Sequence, residues 1–284
     1  MAKISDVLAR ARREIANSGV SSSGLDSSIL LAHTLSFSKE QILFNPDFEL
    51  SAKQEDDFVK AVARRVNREP VSHIINKREF FGADFFVNSD VLDPRPDSEI
   101  LIEAVLQKFS NKNPNIKILE VGVGSGCLII TLLGLYSQAM GVGLDISKKA
   151  LEVCSINAKN HKIEKHLDLR NSDVFSALKT SEKFDLIISN PPYIPSADIL
   201  ELEPEVRMYE PLSALDGGVD GLDFYRKIAH DAKIFLKENG EVFLEIGYGQ
   251  KEKICEIFTQ KNFTLITAKP DLSGVIRVLQ FKRK

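Results

Sequence analysis

One short stretch decides the fold class of this chain, and it is Lys117-Ile118-Leu119-Glu120-Val121-Gly122-Val123-Gly124-Ser125-Gly126. Its apolar first half predicts a buried strand, and the apolar segment after Gly126 predicts a helix. The three alternating glycines between them let the backbone approach a ligand closely at the carboxyl end of a strand. The alternative is a tight strand-to-helix turn that binds nothing. Three glycines in this context favour the ligand site.

Strands and helices alternate from this stretch to the end of the chain. Strands are predicted over 117–121, 141–145, 167–171, 184–189, 241–247, 263–268 and 275–282. Helices are predicted near 97–109, 126–137, 148–160, 222–237 and 250–261. This order indicates an α/β fold with a seven-stranded, mostly parallel sheet that has helices on both faces. Only Lys269 to Gly274 separate the last two strands, so these should form an antiparallel hairpin.

The first part of the chain has a different pattern. Residues 1–70 keep a helical apolar spacing and predict a small helical domain. Two capping boxes within it, Ser38 with Gln41 and Ser51 with Gln54, predict helix starts. The helix after Ser51 is expected to bury Phe58, Val59, Val62 and Val66. Residues 71–92 carry short aromatic and β-branched runs that predict a β-hairpin linker, and residues 93–284 form the second domain.

Composition and charge exclude several classes of protein. The 284 residues carry 37 basic and 40 acidic side chains, for a net charge of -3, and 43% are hydrophobic. Such a chain is typical of soluble globular proteins, and no apolar run approaches the roughly 20 residues of a membrane span. We expect no secretory signal and no membrane association. Three scattered cysteines predict neither a disulfide framework nor a metal site, and they fit a reducing cytoplasm.

The glycine spacing narrows the choice of ligand. A dinucleotide fingerprint requires Gly-x-Gly-x-x-Gly, but Cys127 or Ile129 stands at the third glycine position. Glu120, two residues before Gly122, is unexpected beside a pyrophosphate. A carboxylate there suits the cationic amino acid end of S-adenosylmethionine. The pattern is similar to the first motif of Rossmann-like methyltransferases, which predicts that Glu120, Gly122, Val123, Gly124, Ser125 and Gly126 bind that cofactor.

Two aspartates follow the next strands of the predicted sheet. Asp145 ends one strand and can accept hydrogen bonds from both ribose hydroxyls, although NAD sites use the same contact and a helix cap is the alternative. Asp173 and Val174 follow another strand. In a methyltransferase this loop meets the adenine, with the carboxylate toward the exocyclic amine and the apolar side chain against the ring. An ordinary loop aspartate is the alternative for Asp173.

The most specific motif is Asn190-Pro191-Pro192-Tyr193, directly after the strand 184–189. The prolines make the backbone rigid and lack N–H donors. The Asn190 side-chain oxygen and the Pro191 carbonyl are then available to accept both N–H groups of a planar amide or exocyclic amine. Such contacts orient the nitrogen and stabilise positive charge as it develops, while Tyr193 can stack on the planar group or form a wall beside it. A proline-rich loop with no chemical role is the alternative.

With both motifs present, the chain resembles the HemK/PrmC family of bacterial methyltransferases over almost its whole length. Matching segments include Arg64-Arg65, Phe80-Phe81-Gly82, Pro94-Arg95-Pro96-Asp97-Ser98-Glu99, Tyr209-Glu210-Pro211 and Ser273-Gly274 with Arg277. The resemblance implies a Rossmann-like methyltransferase sheet, S-adenosyl-L-methionine as methyl donor, and the glutamine of the Gly-Gly-Gln loop of peptide chain release factors as acceptor. It implies that Asn190, Pro191 and Tyr193 are catalytic, that Pro192 binds substrate with them, and that Asn190 also contacts the cofactor.

The same resemblance implies roles for the domains, with residues 1–70 recognising the substrate and residues 93–284 carrying the methyltransferase activity. There are departures from the family pattern. His73 stands where an aromatic residue is more common, Asn76 where glycine is common, Asp93 where an apolar residue is usual, and Val174 where an aromatic is frequent. None of these departures changes the glycine motif, Asp145 or the Asn190–Tyr193 motif.

Three other functions compete with this one. A nucleic-acid adenine or cytosine amino-methyltransferase would use the same motif on a flipped base. Residues 1–90 carry 12 Lys and Arg against 13 Asp and Glu, a net charge of -1, so no stable nucleic-acid partner is expected. A local basic stripe remains, formed by Lys60, Arg64, Arg65 and Arg68. It is either a solvated helix face or a surface that faces the release factor or RNA near it. A non-catalytic adaptor that keeps the cofactor fold for binding is the second competing function, and a NAD-dependent oxidoreductase is the third.

Overall fold

The computed structural model describes residues 2–110 and 114–284. The helices in these ranges are α1 (Ile4–Asn17), α2 (Ser23–Leu35), α3 (Lys39–Phe44), α4 (Ala52–Val66), α5 (Val71–Ile75), α6 (Glu99–Lys108), α7 (Cys127–Leu135), α8 (Lys148–Asn160), α9 (Pro204–Tyr209), α10 (Asp223–Phe235) and α11 (Lys251–Gln260). The strands are β1 (Arg78–Phe80), β2 (Ala83–Phe85), β3 (Lys117–Val121), β4 (Met140–Asp145), β5 (Leu167–Asn171), β6 (Phe184–Ser189), β7 (Leu236–Glu245), β8 (Phe263–Pro270) and β9 (Ile276–Arg283). The chain divides into two compact units, Met1–Lys77 with Glu203–Tyr209, and Arg78–Leu202 with Glu210–Lys284.

The first unit is helical, and two of its helices, α3 and α4, begin at the capping boxes predicted from the sequence. Both capping boxes are present, with the Ser38 and Ser51 side chains accepting hydrogen bonds from the backbone N–H groups of Gln41 and Gln54. The prediction that Val59 faces inward on α4 is wrong, because Val59 is exposed while Phe58 and Val62 are buried. The apolar face of α4 is therefore narrower than the sequence predicted.

The segment Glu203–Tyr209 belongs to the helical unit although it lies far away in the sequence. Arg65 donates to Glu205 at 3.0 Å and to Asp26 at 2.7 Å, while Arg68 contacts Glu205 at 2.6 Å. Both Arg65 and Asp26 are buried, where an unpaired charge would cost several kcal/mol. The ion pairs therefore stabilise the attachment of this segment, and they use two of the cations of the predicted basic stripe.

The linker differs from the prediction at its start. Val71–Ile75 forms the short helix α5 instead of a strand, because Val71, Ile74 and Ile75 share one helical face and the Ile74 N–H bonds to the Pro70 carbonyl. Asn76 then ends the helix in the left-handed conformation, at φ 52°. The hairpin itself is present as antiparallel β1 and β2 in the second unit, so the division between the units falls inside the predicted linker.

Seven strands of the described chain form one sheet in the order β5-β4-β3-β6-β7-β9-β8. The pairs from β5 to β7 are parallel, and β9 is antiparallel to both β7 and β8. The predicted C-terminal hairpin is confirmed, and β9 inserts between β7 and β8. Strand β7 begins five residues earlier than the predicted 241, across a register irregularity opposite Phe184–Leu186 on β6.

Alternating side chains of the central strands pack into two separate cores. Ile118 and Phe243 face the core that contains α6 and α7. Leu119, Val242 and Leu244 face the core that contains α10 and α11. Because side chains on a strand alternate between the faces of a sheet, the sheet is covered on both sides. The parallel strands thus end together at one edge, where ligands bind in open α/β sheets.

Candidate functional site

A pocket lies at the carboxyl ends of the parallel strands β3, β4, β5 and β6, and all its walls come from the second unit. The residues of its wall that the sequence predicted are Glu120, Gly122, Val123, Gly124, Ser125, Asp145, Asp173, Val174, Asn190, Pro191 and Pro192. Gly126 and Tyr193 were also predicted to belong to the site, but they are not part of this lining. The fold therefore brings together four loops that are distant in sequence.

The glycine loop has a backbone that few other residues adopt. Gly122, Gly124 and Gly126 have φ values of 74°, 53° and 81°, in the left-handed region that disfavours side chains. A Cβ added at Gly122 or Gly124 would meet nothing within 4 Å, so the open pocket lies beside them. A Cβ at Gly126 would come within 2.5 Å of the Cys154 sulfur. Gly126 is therefore required for packing against α8.

The carboxyl group of Glu120 is buried beneath the glycine loop. Its Oε2 accepts the N–H of Ile129 in the first turn of α7 at 3.0 Å, which satisfies one of the unpaired donors at that helix end. Burial raises the pKa of Glu120 well above its ordinary value, the bond from Ile129 opposes this shift, and the charge of Asp145 adds to it. A nearby cation in the pocket would favour the ionised form of this carboxyl.

Asp145 connects the glycine loop to the start of α8. Its Oδ2 accepts the Gly124 N–H at 2.9 Å, and its Oδ1 accepts the Ser147 N–H at 2.8 Å. Ser147 itself caps α8 through Ala150, so Asp145 is not the cap of that helix. Burial raises the pKa of Asp145, and these backbone N–H groups oppose the shift. Each oxygen keeps a lone pair that can accept a further hydrogen bond from a ligand.

Asn157 holds the glycine loop from behind and was not predicted from the sequence. Its Nδ2 donates to the Ser125 carbonyl at 2.8 Å and to the Phe86 carbonyl at 2.9 Å. Its Oδ1 accepts the Phe86 N–H at 2.7 Å. The available sequence signal is the helical spacing of Asn157 with Val153 and Cys154 on the buried face of α8, because an amide on such a face needs partners.

The loop after β5 forms the opposite wall. Val174 has φ 49°, an uncommon and strained conformation for a β-branched residue. Asp173 is exposed at the pocket, and the Lys227 Nζ lies 3.5 Å from its Oδ1. The same ammonium lies 5.2 Å from the centroid of the Phe224 ring, which also lines the pocket. This wall thus combines an apolar surface with a carboxylate.

Asn190 reaches the pocket from the end of β6. Its Nδ2 donates to the Ser98 hydroxyl oxygen at 3.1 Å, and both residues line the pocket. Because the NH2 group is directed to Ser98, the Oδ1 acceptor is the free end of this side chain. Pro191 is buried beside it and lacks an N–H, which leaves its carbonyl as the polar backbone group of that residue. Two acceptors therefore lie next to each other in sequence at this wall.

Tyr193 is not part of the pocket lining of the described chain. It packs against the core that contains α10 and α11, and its carbonyl accepts from Gln250 Nε2 at 2.9 Å. Burial raises the pKa of the Tyr193 hydroxyl to about 12. The stacking of its ring on a planar substrate group therefore stays a prediction.

A buried ion pair supports the pocket near Ser98. The Arg95 Nη2 donates to both carboxylate oxygens of Glu210, at 2.7 and 2.8 Å. Burial raises the pKa of Glu210 to about 7, and the positive charge of Arg95 opposes the shift. Sequence reasoning did not assign a role to several pocket-lining residues, namely Asp90, Val91, Leu92, Arg95, Ser98, Cys127, Phe224 and Lys227. They lie on loops and helices that only the fold brings to the strand ends.

Across 2–110 and 114–284, no helix is long and apolar enough to cross a membrane. Over the same ranges, no group of three His, Cys, Asp or Glu side chains could hold a metal ion.

The fold and the site together define the class, a Rossmann-like methyltransferase. A model described as methyltransferase small domain matches residues 90–201, and one described as PrmC N-terminal domain matches residues 6–75. Among solved structures, a Thermus thermophilus 16S rRNA methyltransferase in complex with AdoMet and guanosine is similar in fold. The TM-score is 0.53 at 18% identity, and the match covers 73% of this chain and 50% of that one.

Full-length relatives define the family more narrowly. The release factor glutamine methyltransferase of Agrobacterium fabrum is 37% identical over 99% of this chain and 98% of its own length. The protein of that name from Geobacter sulfurreducens is also 37% identical, over 97% of this chain and 95% of its own length. The chain belongs to the release factor glutamine methyltransferase family.

Proposed function

We propose that this chain transfers a methyl group from S-adenosylmethionine to the side-chain amide nitrogen of the glutamine in the Gly-Gly-Gln loop of peptide chain release factors, giving N5-methylglutamine. Family membership supports this acceptor. The single observation that carries the chemistry is the position of Asn190 in the pocket wall, with its NH2 group engaged by Ser98. We also propose a cytoplasmic location, where the free cysteines stay reduced.

The residues present fit the cofactor. Gly122 and Gly124 have open space where a Cβ would stand, so the backbone can approach a ligand closely. Asp145 offers carboxylate lone pairs for ribose hydroxyls, and Glu120 offers a negative charge for the amino acid end. Asp173 and Val174 would meet the adenine. Ser125, Val123 and Asn190 would complete these contacts, whereas Gly126 acts through packing.

When bound, S-adenosylmethionine supplies an electrophilic methyl group. The protein then has to hold a weakly nucleophilic amide nitrogen in line with it. Asn190 Oδ1 and the Pro191 carbonyl would accept the two N–H groups of the glutamine amide, and Pro192 would keep that backbone rigid. As the N–C bond formed and the bond from the methyl group to sulfur broke, positive charge would develop on the nitrogen, and these oxygens would stabilise it without reorganising. S-adenosylhomocysteine would be the leaving group, and the surplus proton of the nitrogen would pass to water. The position of Tyr193 supports a role in shaping the loop rather than in contacting the amide.

The helical unit is the part of the chain that we propose to recognise the release factor. In this unit the basic stripe is neutralised, because Lys60 contacts Asp56, Arg64 contacts Glu69, and Arg65 and Arg68 contact Glu205. Cations that are already paired offer little net attraction for a phosphate backbone. This favours a protein acceptor over a nucleic acid.

A labelling experiment tests the proposal. The purified chain would be incubated with methyl-labelled S-adenosylmethionine and, in separate reactions, a release factor, the same factor with its loop glutamine replaced by glutamate, and duplex DNA. We expect label only on the unaltered release factor, since glutamate has no NH2 group. Label on DNA would favour the amino-methyltransferase of nucleic acid, and label on the glutamate variant would place the methyl group elsewhere.

A further inference from the structure

Glu245 is a buried carboxyl group for which the proposed function has no use. It is the last residue of β7, and Ser189 pairs with Leu244 in the parallel β6–β7 ladder. Asn190 and Glu245 therefore occupy the next positions of neighbouring strands at the same edge of the sheet. Within the described chain, the Glu245 Oε2 has no hydrogen-bond partner. A buried polar atom of this kind costs free energy, which indicates a role other than stability.

Ser98 lies between Glu245 and the pocket. Its hydroxyl oxygen accepts from Asn190 Nδ2 at 3.1 Å. The Ser98 hydroxyl and the Asn190 amide both lie within reach of the Glu245 carboxyl, and hydrogen bonding from them lowers its pKa. Ser98 is 2% exposed, so bulk water does not compete for these bonds. Ser98 and Asn190 line the pocket, whereas Glu245 is outside the lining. Glu245 therefore acts on the pocket wall from behind.

The direction of these bonds determines which end of the Asn190 amide faces the substrate. A serine hydroxyl has one hydrogen to donate. When that hydrogen goes to the Glu245 carboxylate, only lone pairs of Ser98 remain for Asn190, which must present its NH2 group. We propose that Glu245 is a positioning residue that holds the Asn190 amide, through Ser98, with Oδ1 toward the substrate. This inference rests on the proposed function, in which Oδ1 accepts an N–H of the glutamine amide.

Protonation of Glu245 should reverse this effect. Burial raises the pKa of Glu245 to about 7, while Ser98, Arg277 and Asn190 oppose the shift. A protonated Glu245 can donate to Ser98, which is then free to donate to Asn190 Oδ1 and turn the amide the wrong way. The charged and titratable groups that face Glu245 from the surrounding elements are Arg277, Asp97, Tyr193, Tyr225 and Cys127. Of the groups that shift the Glu245 pKa, Arg277 favours the carboxylate and Asp97 opposes it.

Three variants of the full-length chain test the role of Glu245. Glu245→Gln keeps an acceptor oxygen and cannot ionise. Glu245→Met has a similar length and no acceptor. Glu241→Gln is the matched control, because Glu241 is also a buried carboxylate of β7 but bonds to Lys108 and Gln280 outside the pocket. For each variant, kcat would be measured between pH 5.5 and 8.5, a range that spans roughly 1.5 units on either side of the raised carboxyl pKa. The Kd for S-adenosylmethionine and the Tm would be measured for the same variants.

We expect kcat of the unaltered chain to rise as the pH passes about 7. Glu245→Gln should keep most of this kcat but lose the pH step, and Glu245→Met should lose about 100-fold in kcat, as misplaced groups do. Cofactor Kd should stay unchanged in both variants. The control should keep both kcat and the pH step. A folded Glu245→Met variant with normal kcat and an unchanged pH step would overturn the inference.

A second measurement does not need an acceptor. The exchange of the Asn190 side-chain amide protons with water can be followed by NMR in the full-length chain. We expect slow exchange in the unaltered chain and in Glu241→Gln, and fast exchange in Glu245→Met, where Ser98 no longer has an acceptor to order it. Equal exchange rates in all three would overturn the positioning role. If the unaltered chain failed to label a release factor, the proposed function would be wrong while this measurement still decided the role of Glu245.

Discussion

Replacing Asn190 by alanine separates a chemical role of this residue from a structural one. The half-buried side chain donates from Nδ2 to the Ser98 hydroxyl at 3.1 Å in the described structure. Losing one neutral hydrogen bond costs about 1 kcal/mol of the free energy of unfolding, or roughly 2–4 °C in Tm for a chain of this size. Losing one positioned acceptor of developing charge should lower kcat by about 100- to 1000-fold. We therefore expect a large loss of rate in a protein that remains folded.

The assay combines single-turnover methyl transfer to a release factor with thermal unfolding and cofactor calorimetry. Cofactor Kd should change much less than the rate, since Asp145 and the glycine loop remain intact. Asn190→Asp keeps an acceptor oxygen but loses the NH2 donor to Ser98, so we expect intermediate activity. Gln260→Ala is a control, because it removes an exposed amide whose side-chain hydrogen bond within the described residues is to Glu256. A well-folded Asn190→Ala variant with near-normal methyl transfer would refute the mechanism.

Four other outcomes can be measured. Asp145→Ala should weaken S-adenosylmethionine binding by about 3 kcal/mol or more, since charged hydrogen bonds contribute about 1.5–3 kcal/mol each, and unchanged calorimetric affinity would mean that Asp145 only holds Gly124. Gly124→Val should abolish binding, because a β-branched residue disfavours φ 53° and its side chain would enter the pocket; Gly134→Ala, whose Cβ meets open space, is the calorimetric control. Removing residues 1–77 should spare cofactor binding but lower kcat/KM for the release factor, with circular dichroism as the check on folding. Burial raises the pKa of Glu245 from 4.5 to about 7, so its protonated carboxyl contributes fully to the free energy of unfolding below about pH 4.5, and this contribution is lost as the pH rises through 7. Urea unfolding of the unaltered chain should show this free energy decline by about 3 kcal/mol across the range, and Glu245→Gln should remove the decline.

Much of the fold follows from short-range physics that a sequence exposes directly. Strands β3, β5 and β6 begin and end at the predicted residues, and Ser38 and Ser51 cap helices through neighbours three residues away. Local sequence patterns do not predict the structure of a segment whose apolar spacing fits both a strand and a helix. Val71–Ile75 is β-branched, but its spacing also fits a helix, and contacts within the helical unit decide between them. A strand or helix thus follows from sequence only where local preference and burial agree.

The residues of the pocket also fall into two groups, those that the sequence identifies and those that it does not. The glycine loop, Asp145 and Asn190 could be identified because each directly follows a buried strand, and parallel strands end at one edge of a sheet. Their partners could not be identified, since Ser98 lies 92 residues from Asn190 and Asn157 lies 32 residues from Ser125 in the sequence.

The sequence by itself determined the class of fold, the order of its elements and the residues able to carry the chemistry, because these depend on neighbours along the chain. Only the tertiary structure decided that Tyr193 lies off the pocket, that the arginines of α4 are neutralised by acidic side chains, and that Glu245 stands behind Asn190. Those outcomes depend on which distant side chains meet once the sheet has formed. The free energy of each buried charge or amide is set by such partners, and no spacing in the sequence encodes them.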